Sequence, residues 1–177
     1  MAEGKISNAQ LKSIKAIALD VDGVLTDGGM WWGANGEEFK RFSFTDIMGV
    51  SLARRAGLIV TLISGEPSPL VDRYAAKMHI EDVTKGCRDK ATALRAFAER
   101  HQLQLTEICF MGDDVNDLPA MEIAGLSAAP ADARHGVLAK VNFVATCKGG
   151  NGAVRELVDT LLAAHELDPL TLFLKRM

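Results

Sequence analysis

Two aspartates, Asp20 and Asp22, stand two residues apart at the end of a short apolar segment and are followed by Gly23. Because glycine permits a sharp turn after Asp20, both carboxylates can face one site. Such a pair suits phosphate chemistry, in which one carboxylate attacks phosphorus and the other handles the proton of the leaving oxygen. A loop that only caps a helix or binds calcium would show the same short pattern.

A second acidic cluster, with Asp113, Asp114 and Asp117, follows another apolar segment. Carboxylates this close together are unfavourable unless a cation neutralises them, and a site of carboxylate oxygens and water favours Mg²⁺. Asn116 or Asp117 could also cap the helix that follows, which is compatible with metal binding. We therefore expect a magnesium site here.

Two further side chains could hold phosphoryl oxygens. Ser64 follows a third apolar segment, and Lys90 stands beside Asp89 at the start of a predicted helix. Each alone is more simply explained as a turn serine or a solvated lysine. In this chain, however, Ser64 and Lys90 belong to one ordered series of motifs along the sequence: DxDG, Ser-Gly, Asp-Lys and GDDxND.

The segments that precede these clusters have the length and β-branched content of buried strands. The predicted strands are 14–19, 58–63, 80–84, 108–111, 126–129 and 141–144, and the predicted helices are 46–56, 67–78, 90–101, 117–124 and 152–164. Strands that alternate with helices predict an α/β fold with a mainly parallel central sheet and helices on both faces. The carboxyl ends of such strands meet at the edge where ligands bind.

Residues 28–43 interrupt this alternation. Asn35-Gly36 between two runs with aromatic residues predicts a β-hairpin. Adjacent Trp31 and Trp32 point to opposite faces of a strand, so an isolated ribbon could hardly bury both. We expect the hairpin to pack against other copies of the chain; the alternative is that one tryptophan packs on its own core and the other is exposed.

Length and composition fit one globular domain over 1–177, with a polar N-terminal extension at 1–13 and a possible C-terminal tail at 168–177. The 20 basic and 23 acidic residues provide no basic surface for nucleic acid. No apolar run reaches the roughly 18 residues of a membrane span, and the polar start lacks a signal sequence. The sequence therefore predicts a cytoplasmic protein without a nucleic-acid or membrane partner.

The four motifs, in this order and each at a strand end or loop, closely resemble those of the haloacid dehalogenase superfamily. The resemblance implies a Rossmannoid three-layer sandwich and a Mg²⁺-dependent phosphatase. It implies that Asp20 is the nucleophile and becomes an aspartyl phosphate. Asp22 would be the general acid and then the base. The remaining implied roles are metal binding by Asp20, Asp113 and the Asp22 carbonyl, support of the metal by Asp114 and Asp117, and binding of phosphoryl oxygens by Ser64 and Lys90.

The chain has no room for the cap domain that many superfamily members carry, because 22–64 holds only the hairpin and one helix. Its DVDGVLTDG segment, its NGEE hairpin and residues 149–156 resemble the cap-less phosphatases of 3-deoxy-2-keto sugar acid phosphates. The typical members of this group are the octulosonate 8-phosphate (KDO 8-phosphate) phosphatases of lipopolysaccharide synthesis. The resemblance implies a sugar acid phosphate as substrate and a homotetramer in which each hairpin helps to cover a neighbour's site.

One departure concerns the substrate. Many octulosonate phosphatases have Gly-Arg after the second motif, whereas this chain has Gly65-Glu66, followed by Arg73 and Lys77. These four are the predicted substrate-binding residues. Glu66 and Lys77 resemble the pair found in a related group of phosphatases that act on nonulosonate (sialic-acid-type) 9-phosphates, which are the alternative substrate. A charge reversed at the mouth of a site changes which sugar is favoured. A non-catalytic phospho-accepting or regulatory module is a further alternative, but it would not need Asp22.

Overall fold

The computed structural model describes residues 6–174. Its strands are β1 (Ala16–Leu19), β2 (Trp31–Trp32), β3 (Glu38–Phe39), β4 (Ile59–Ile63), β5 (Asp82–Thr84), β6 (Ile108–Met111), β7 (Leu126–Ala129) and β8 (Phe143–Val144). Its helices are α1 (Asn8–Ser13), α2 (Phe44–Arg55), α3 (Pro69–Met78), α4 (Lys90–Arg100), α5 (Leu118–Met121), α6 (His135–Leu138), α7 (Ala153–Ala164) and α8 (Pro169–Leu174). Short 3₁₀ turns at Leu105–Glu107 and Val115–Asp117 precede β6 and α5.

Six strands form a parallel sheet in the order β5-β4-β1-β6-β7-β8. Central β1 pairs with β4 on one side and β6 on the other, so the strand order reverses beside β1. Every residue of β1, β6 and β7 is buried, which explains their continuous apolar sequences. The α/β prediction is confirmed, and the carboxyl end of β1 lies at the switch point where such sheets bind ligands.

Two hydrophobic clusters cover the two faces of the sheet. Successive side chains of a strand point to opposite faces, so Ile17 and Leu19 of β1 join one cluster and Ala16 and Ala18 join the other. The first cluster contains the buried sides of α2, α3 and α7, and the second contains those of α4, α5 and α6. The result is the predicted three-layer arrangement, with the functional loops at one edge of its middle layer.

The predicted hairpin is present as antiparallel β2 and β3, with Trp31 opposite Phe39. Gly36, in the predicted turn, has φ +88°. Trp31 and Trp32 are 58% and 77% exposed, so the alternative in which one of them packs into its own core is wrong. The hairpin is held to the domain at its base, where Thr26 and Phe42 form an isolated antiparallel bridge.

The two ends of the described chain form short helices that the sequence pattern did not predict. In α1, Gln10 Nε2 donates a hydrogen bond to the Gly125 carbonyl at 2.7 Å. In α8, Leu172 is buried, and Arg55 Nη1 donates to the Phe173 carbonyl at 3.1 Å. The predicted extension and tail therefore pack on the domain over 8–13 and 169–174, while 1–5 and 175–177 lie outside the described residues. No helix between residues 6 and 174 is long and apolar enough to cross a membrane.

Candidate active site

Asp20 directly follows the central strand and is 5% exposed. Its backbone amide donates to the Met111 carbonyl at 3.0 Å, which continues the pairing of β1 with β6. The chain then turns sharply, and Gly23 has φ +85°, in the left-handed region that favours glycine. A Cβ at Gly23 would lie 2.3 Å from Asp113 Oδ2, so the two acidic loops approach this closely only because glycine stands here.

Lys90 joins two of the predicted carboxylates. Its Nζ lies 2.9 Å from Asp20 Oδ1 and 2.6 Å from Asp117 Oδ1, and its side chain is 1% exposed. Lys90 is the first residue of α4, and Asp89 caps that helix by accepting the Thr92 amide. Burial disfavours the ammonium, but the charges of Asp20 and Asp117 outweigh this effect and raise the pKa of Lys90. The lysine is therefore a charged, paired group inside the site.

The carboxylates of Asp20, Asp113 and Asp117 contribute oxygens that all lie within 4.8 Å of one another. Burial, reinforced by the charge of Asp117, raises the pKa of Asp20 to about 7 despite Lys90. Burial and the charges of Asp117 and Asp114 likewise raise the pKa of Asp113 to about 7. One lysine balances only part of the charge of three carboxylates, and the remaining negative charge and the hard oxygen ligands fit a divalent cation such as Mg²⁺.

Asp117 is engaged differently from its two neighbours. Oδ1 binds Lys90, and Oδ2 accepts the backbone amides of Asp113 at 2.9 Å and Asp114 at 3.2 Å. The contact with the Asp114 amide belongs to the capping box of the 3₁₀ turn Val115–Asp117, and α5 covers only Leu118–Met121 of the predicted helix 117–124. Asp117 thus orients Lys90 and the loop, which leaves Asp20 and Asp113 as the carboxylates best suited to a metal.

The Asp22 carboxylate binds Lys40, which follows β3. Lys40 Nζ lies 2.8 Å from Asp22 Oδ1 and 3.0 Å from Oδ2. The prediction from the sequence missed Lys40, because its partner is 18 residues away and a lysine in a hairpin strand ordinarily faces solvent.

A cavity of about 350 Å³ contains most of the predicted site residues. Ser64, after β4, is fully buried, and its Oγ accepts the Glu66 amide at 3.2 Å. The residues that line the cavity are Asp20, Asp22, Gly23, Gly28, Gly65, Glu66, Lys90, Asp113, Asp114, Asn116 and Arg134.

Arg73 and Lys77, two of the four predicted substrate-binding residues, line a different cavity of about 340 Å³ between the hairpin and α3. Lys77 Nζ lies 5.9 Å from the centroid of the Phe44 ring. Both residues thus stand apart from Gly65 and Glu66, and their role in substrate binding stays a prediction.

Arg134 was not predicted as a site residue. It precedes α6, a one-turn helix without a clear sequence pattern, and its Nε lies 3.3 Å from Asp114 Oδ2. Its backbone amide donates to the Asp113 carbonyl at 2.8 Å. The glycines of 149–156 lie beneath the first loop, since the Gly150 amide donates to the Val24 carbonyl at 2.9 Å.

Comparison with known proteins shows the family of the chain. Residues 62–157 match the family model of haloacid dehalogenase-like hydrolases. The chain is 37% identical over 157 residues to 3-deoxy-D-manno-octulosonate 8-phosphate phosphatase KdsC of Escherichia coli (strain K12), covering 89% of this chain and 84% of the relative.

Two solved structures of octulosonate 8-phosphate phosphatases are similar to this chain over most of its length. The Moraxella catarrhalis protein, in complex with a magnesium ion, a phosphate ion and KDO, has a TM-score of 0.90 at 32% identity and covers 95% of this chain and 97% of its own. The cobalt-bound Haemophilus influenzae protein has a TM-score of 0.89 at 36% identity and covers 94% and 99%. The chain therefore belongs to the haloacid dehalogenase-like hydrolases and, within them, to the family of 3-deoxy-D-manno-octulosonate 8-phosphate phosphatases.

Proposed function

We propose that the protein is a Mg²⁺-dependent phosphatase that hydrolyses 3-deoxy-D-manno-octulosonate 8-phosphate to the free sugar acid and inorganic phosphate. The observation that carries the proposal is the buried contact of Asp20 with Lys90, beside Asp113 and Asp22, in a cavity large enough for part of a sugar phosphate. Relatives named for this reaction support the same substrate. A phospho-accepting module has less support, because Asp22 also lines the cavity.

The reaction has two steps. In the first, an oxygen of Asp20 attacks phosphorus, and the bond between phosphorus and the sugar oxygen breaks as the new bond forms. Asp22 gives its proton to the departing oxygen, which leaves as an alcohol. In the second, water attacks the aspartyl phosphate and gives a proton to Asp22, which frees inorganic phosphate and restores Asp20.

The remaining groups balance charge. The carboxylates of Asp20 and Asp113 and the backbone carbonyl of Asp22 would hold Mg²⁺. Such an ion supplies neutralisation of the phosphoryl oxygens and of the nucleophile. Lys90 holds Asp20 in place and adds a positive charge beside the transferring group. The Ser64 oxygen accepts the Glu66 amide, but Ser64 is fully buried and does not line the cavity, so its contact with a phosphoryl oxygen stays a prediction from the sequence.

A comparison of kcat/KM on three substrates tests the substrate assignment. With Mg²⁺ present, we expect octulosonate 8-phosphate to exceed a nonulosonate 9-phosphate and glucose 6-phosphate by about tenfold or more. Glu66→Arg reverses a charge in the cavity and should change the ratio between the two sugar acids by about tenfold. Glu81→Arg, outside the cavity, is the matched control. Equal rates on all three esters would contradict the assignment.

We also propose that the hairpins assemble the chain into a homotetramer. Trp31, Trp32, Phe39 and Phe44 are 58%, 77%, 55% and 79% exposed, a large apolar surface for a monomer. The cytoplasmic location stays a prediction from the sequence.

Light scattering should therefore give a mass roughly four times the 19.0 kDa of the chain. Trp32→Glu should lower that mass without a large change in the unfolding temperature, since Trp32 packs little within its own subunit. Leu170→Glu, at an exposed position of α8, serves as the control. A monomeric wild-type protein would refute the proposal.

A further inference from the structure

The hairpin contributes a charged side chain to the active site of its own subunit. Lys40 follows β3, and its ammonium spans both carboxylate oxygens of Asp22, at 2.8 and 3.0 Å. The Lys40 side chain is 0% exposed, although the residue as a whole is partly exposed, and the Asp22 side chain is 30% exposed. The ion pair is thus shielded on the lysine side and open on the aspartate side, where Asp22 lines the cavity.

Lys40 is itself held by a series of polar contacts. Its Nζ lies 3.8 Å from Glu38 Oε1, and the same Glu38 oxygen accepts a hydrogen bond from Ser68 Oγ at 2.7 Å. Ser68 is the N-cap of α3, where its Oγ also accepts the Leu70 amide. The contacts therefore connect the loop after β1, the hairpin and a core helix, although Asp22 and Ser68 are far apart in sequence.

Proton transfer to a leaving oxygen requires the acid within about 3 Å of that oxygen and in a suitable orientation. A partly exposed aspartate has free rotation about its side-chain bonds unless a partner restricts it. When Asp22 is protonated, one of its oxygens can carry the proton toward the cavity while the other still accepts a hydrogen bond from Lys40. The Lys40 ammonium is fully buried, so moving it away from Asp22 and Glu38 would leave its charge without a partner.

We propose that Lys40 is a positioning residue, which orients Asp22 toward the leaving oxygen of the substrate, and that the hairpin thereby completes the site of its own subunit. The inference rests on the proposed phosphatase activity. It gives the hairpin a role in catalysis that does not depend on a neighbouring chain. It also predicts that Lys40 matters only where a leaving group needs a proton.

The test compares two esters by kcat/KM, which reports phosphoryl transfer to Asp20. Octulosonate 8-phosphate has an alcohol leaving group that needs a proton. The leaving group of p-nitrophenyl phosphate is a phenolate, which departs without a proton. Lys40→Met should lower kcat/KM about 10- to 100-fold on the sugar ester, because part of the contribution of general acid catalysis is lost. On the aryl ester the loss should be less than about threefold. Asp22→Asn should show the same selectivity with a larger loss.

Three further variants separate positioning from general damage. Because Lys40 acts through Asp22, adding Lys40→Met to Asp22→Asn should cause little further loss. Lys40→Arg, which keeps the charge, should restore most of the activity on the sugar ester. Lys40→Gln retains a donor without the charge and keeps the test valid if Lys40→Met does not fold. Lys140→Met, which removes a surface ion pair with Glu122, should behave as wild type.

Equal losses on both esters, or additive losses in the double variant, would overturn the role of Lys40. If wild-type protein prefers another alkyl phosphate, the substrate assignment fails and Lys40 is judged on that ester by the same ratios. If wild-type protein hydrolyses neither alkyl nor aryl phosphates, the proposed function and the role of Lys40 are both overturned.

Discussion

Replacement of Asp20 by asparagine is expected to lower kcat by a factor on the order of 10⁵ or more, as removal of a nucleophile does in other covalent mechanisms. The amide is nearly the same size as the carboxylate but cannot form the phosphoryl ester. Steady-state assays with Mg²⁺ give the rate. Acid quenching followed by mass spectrometry should detect a phosphorylated wild-type chain and none for Asp20→Asn.

The fold should survive this change. The amide oxygen of the introduced asparagine can still accept a hydrogen bond from Lys90, so the unfolding temperature should move by only a few degrees. Asp159→Asn, in a partly exposed ion pair with Arg155, is the matched control and should keep full activity. Persistent hydrolysis by Asp20→Asn, with deamidation to aspartate excluded by the mass of the intact chain, would contradict the covalent mechanism.

Replacement of Lys90 by methionine should lower kcat by about 10³ and also destabilise the protein. Lys90 lies 2.9 Å from Asp20 and 2.6 Å from Asp117 and is 1% exposed, so its loss leaves two carboxylates without their cation. Breaking a buried ion pair by removing one partner costs about 3–5 kcal/mol. Lys90→Arg, which keeps the charge, should fold better than Lys90→Met and recover part of the activity.

The stability loss should depend on pH. Burial and Asp117 raise the pKa of Asp20 from 3.8 to about 7, and Lys90 acts in the opposite direction. A carboxyl whose pKa is raised on folding binds more protons when folded, so it reduces stability as pH rises toward its folded pKa. Without Lys90 that pKa is higher still. The difference in unfolding free energy between wild type and Lys90→Met, measured in EDTA, should therefore grow above about pH 7; a constant difference from pH 6 to 9 would contradict this explanation.

The sheet and three of its loops could be predicted because their signals are local. Buried parallel strands are continuous apolar segments; Asp20 and Ser64 directly follow two of them, and Asp113 stands two residues after the end of a third. Since parallel strands place their carboxyl ends at one edge, sequence order was sufficient to bring these residues together. The turn at Asn35-Gly36 was equally local, and the hairpin followed from it.

The short helices were harder to predict. Helix α6 has four residues and α8 has six, too few for a periodic pattern to stand out. Helix α5 covers Leu118–Met121 and so ends three residues earlier than predicted. At its start, one oxygen of Asp117 accepts the Asp114 amide in the capping box of the preceding 3₁₀ turn, and the other binds Lys90.

For this protein, the sequence by itself determined the fold class and the positions of the candidate nucleophile and of the acidic cluster, because each depends on residue types at fixed short spacings. Only the tertiary structure decided which partner each charge has. Lys40 binds Asp22 from the hairpin, Arg134 approaches Asp114, and Arg73 lines a separate cavity. The energy of a charge pair depends on its separation and burial in space, and spacing along the chain contains neither quantity.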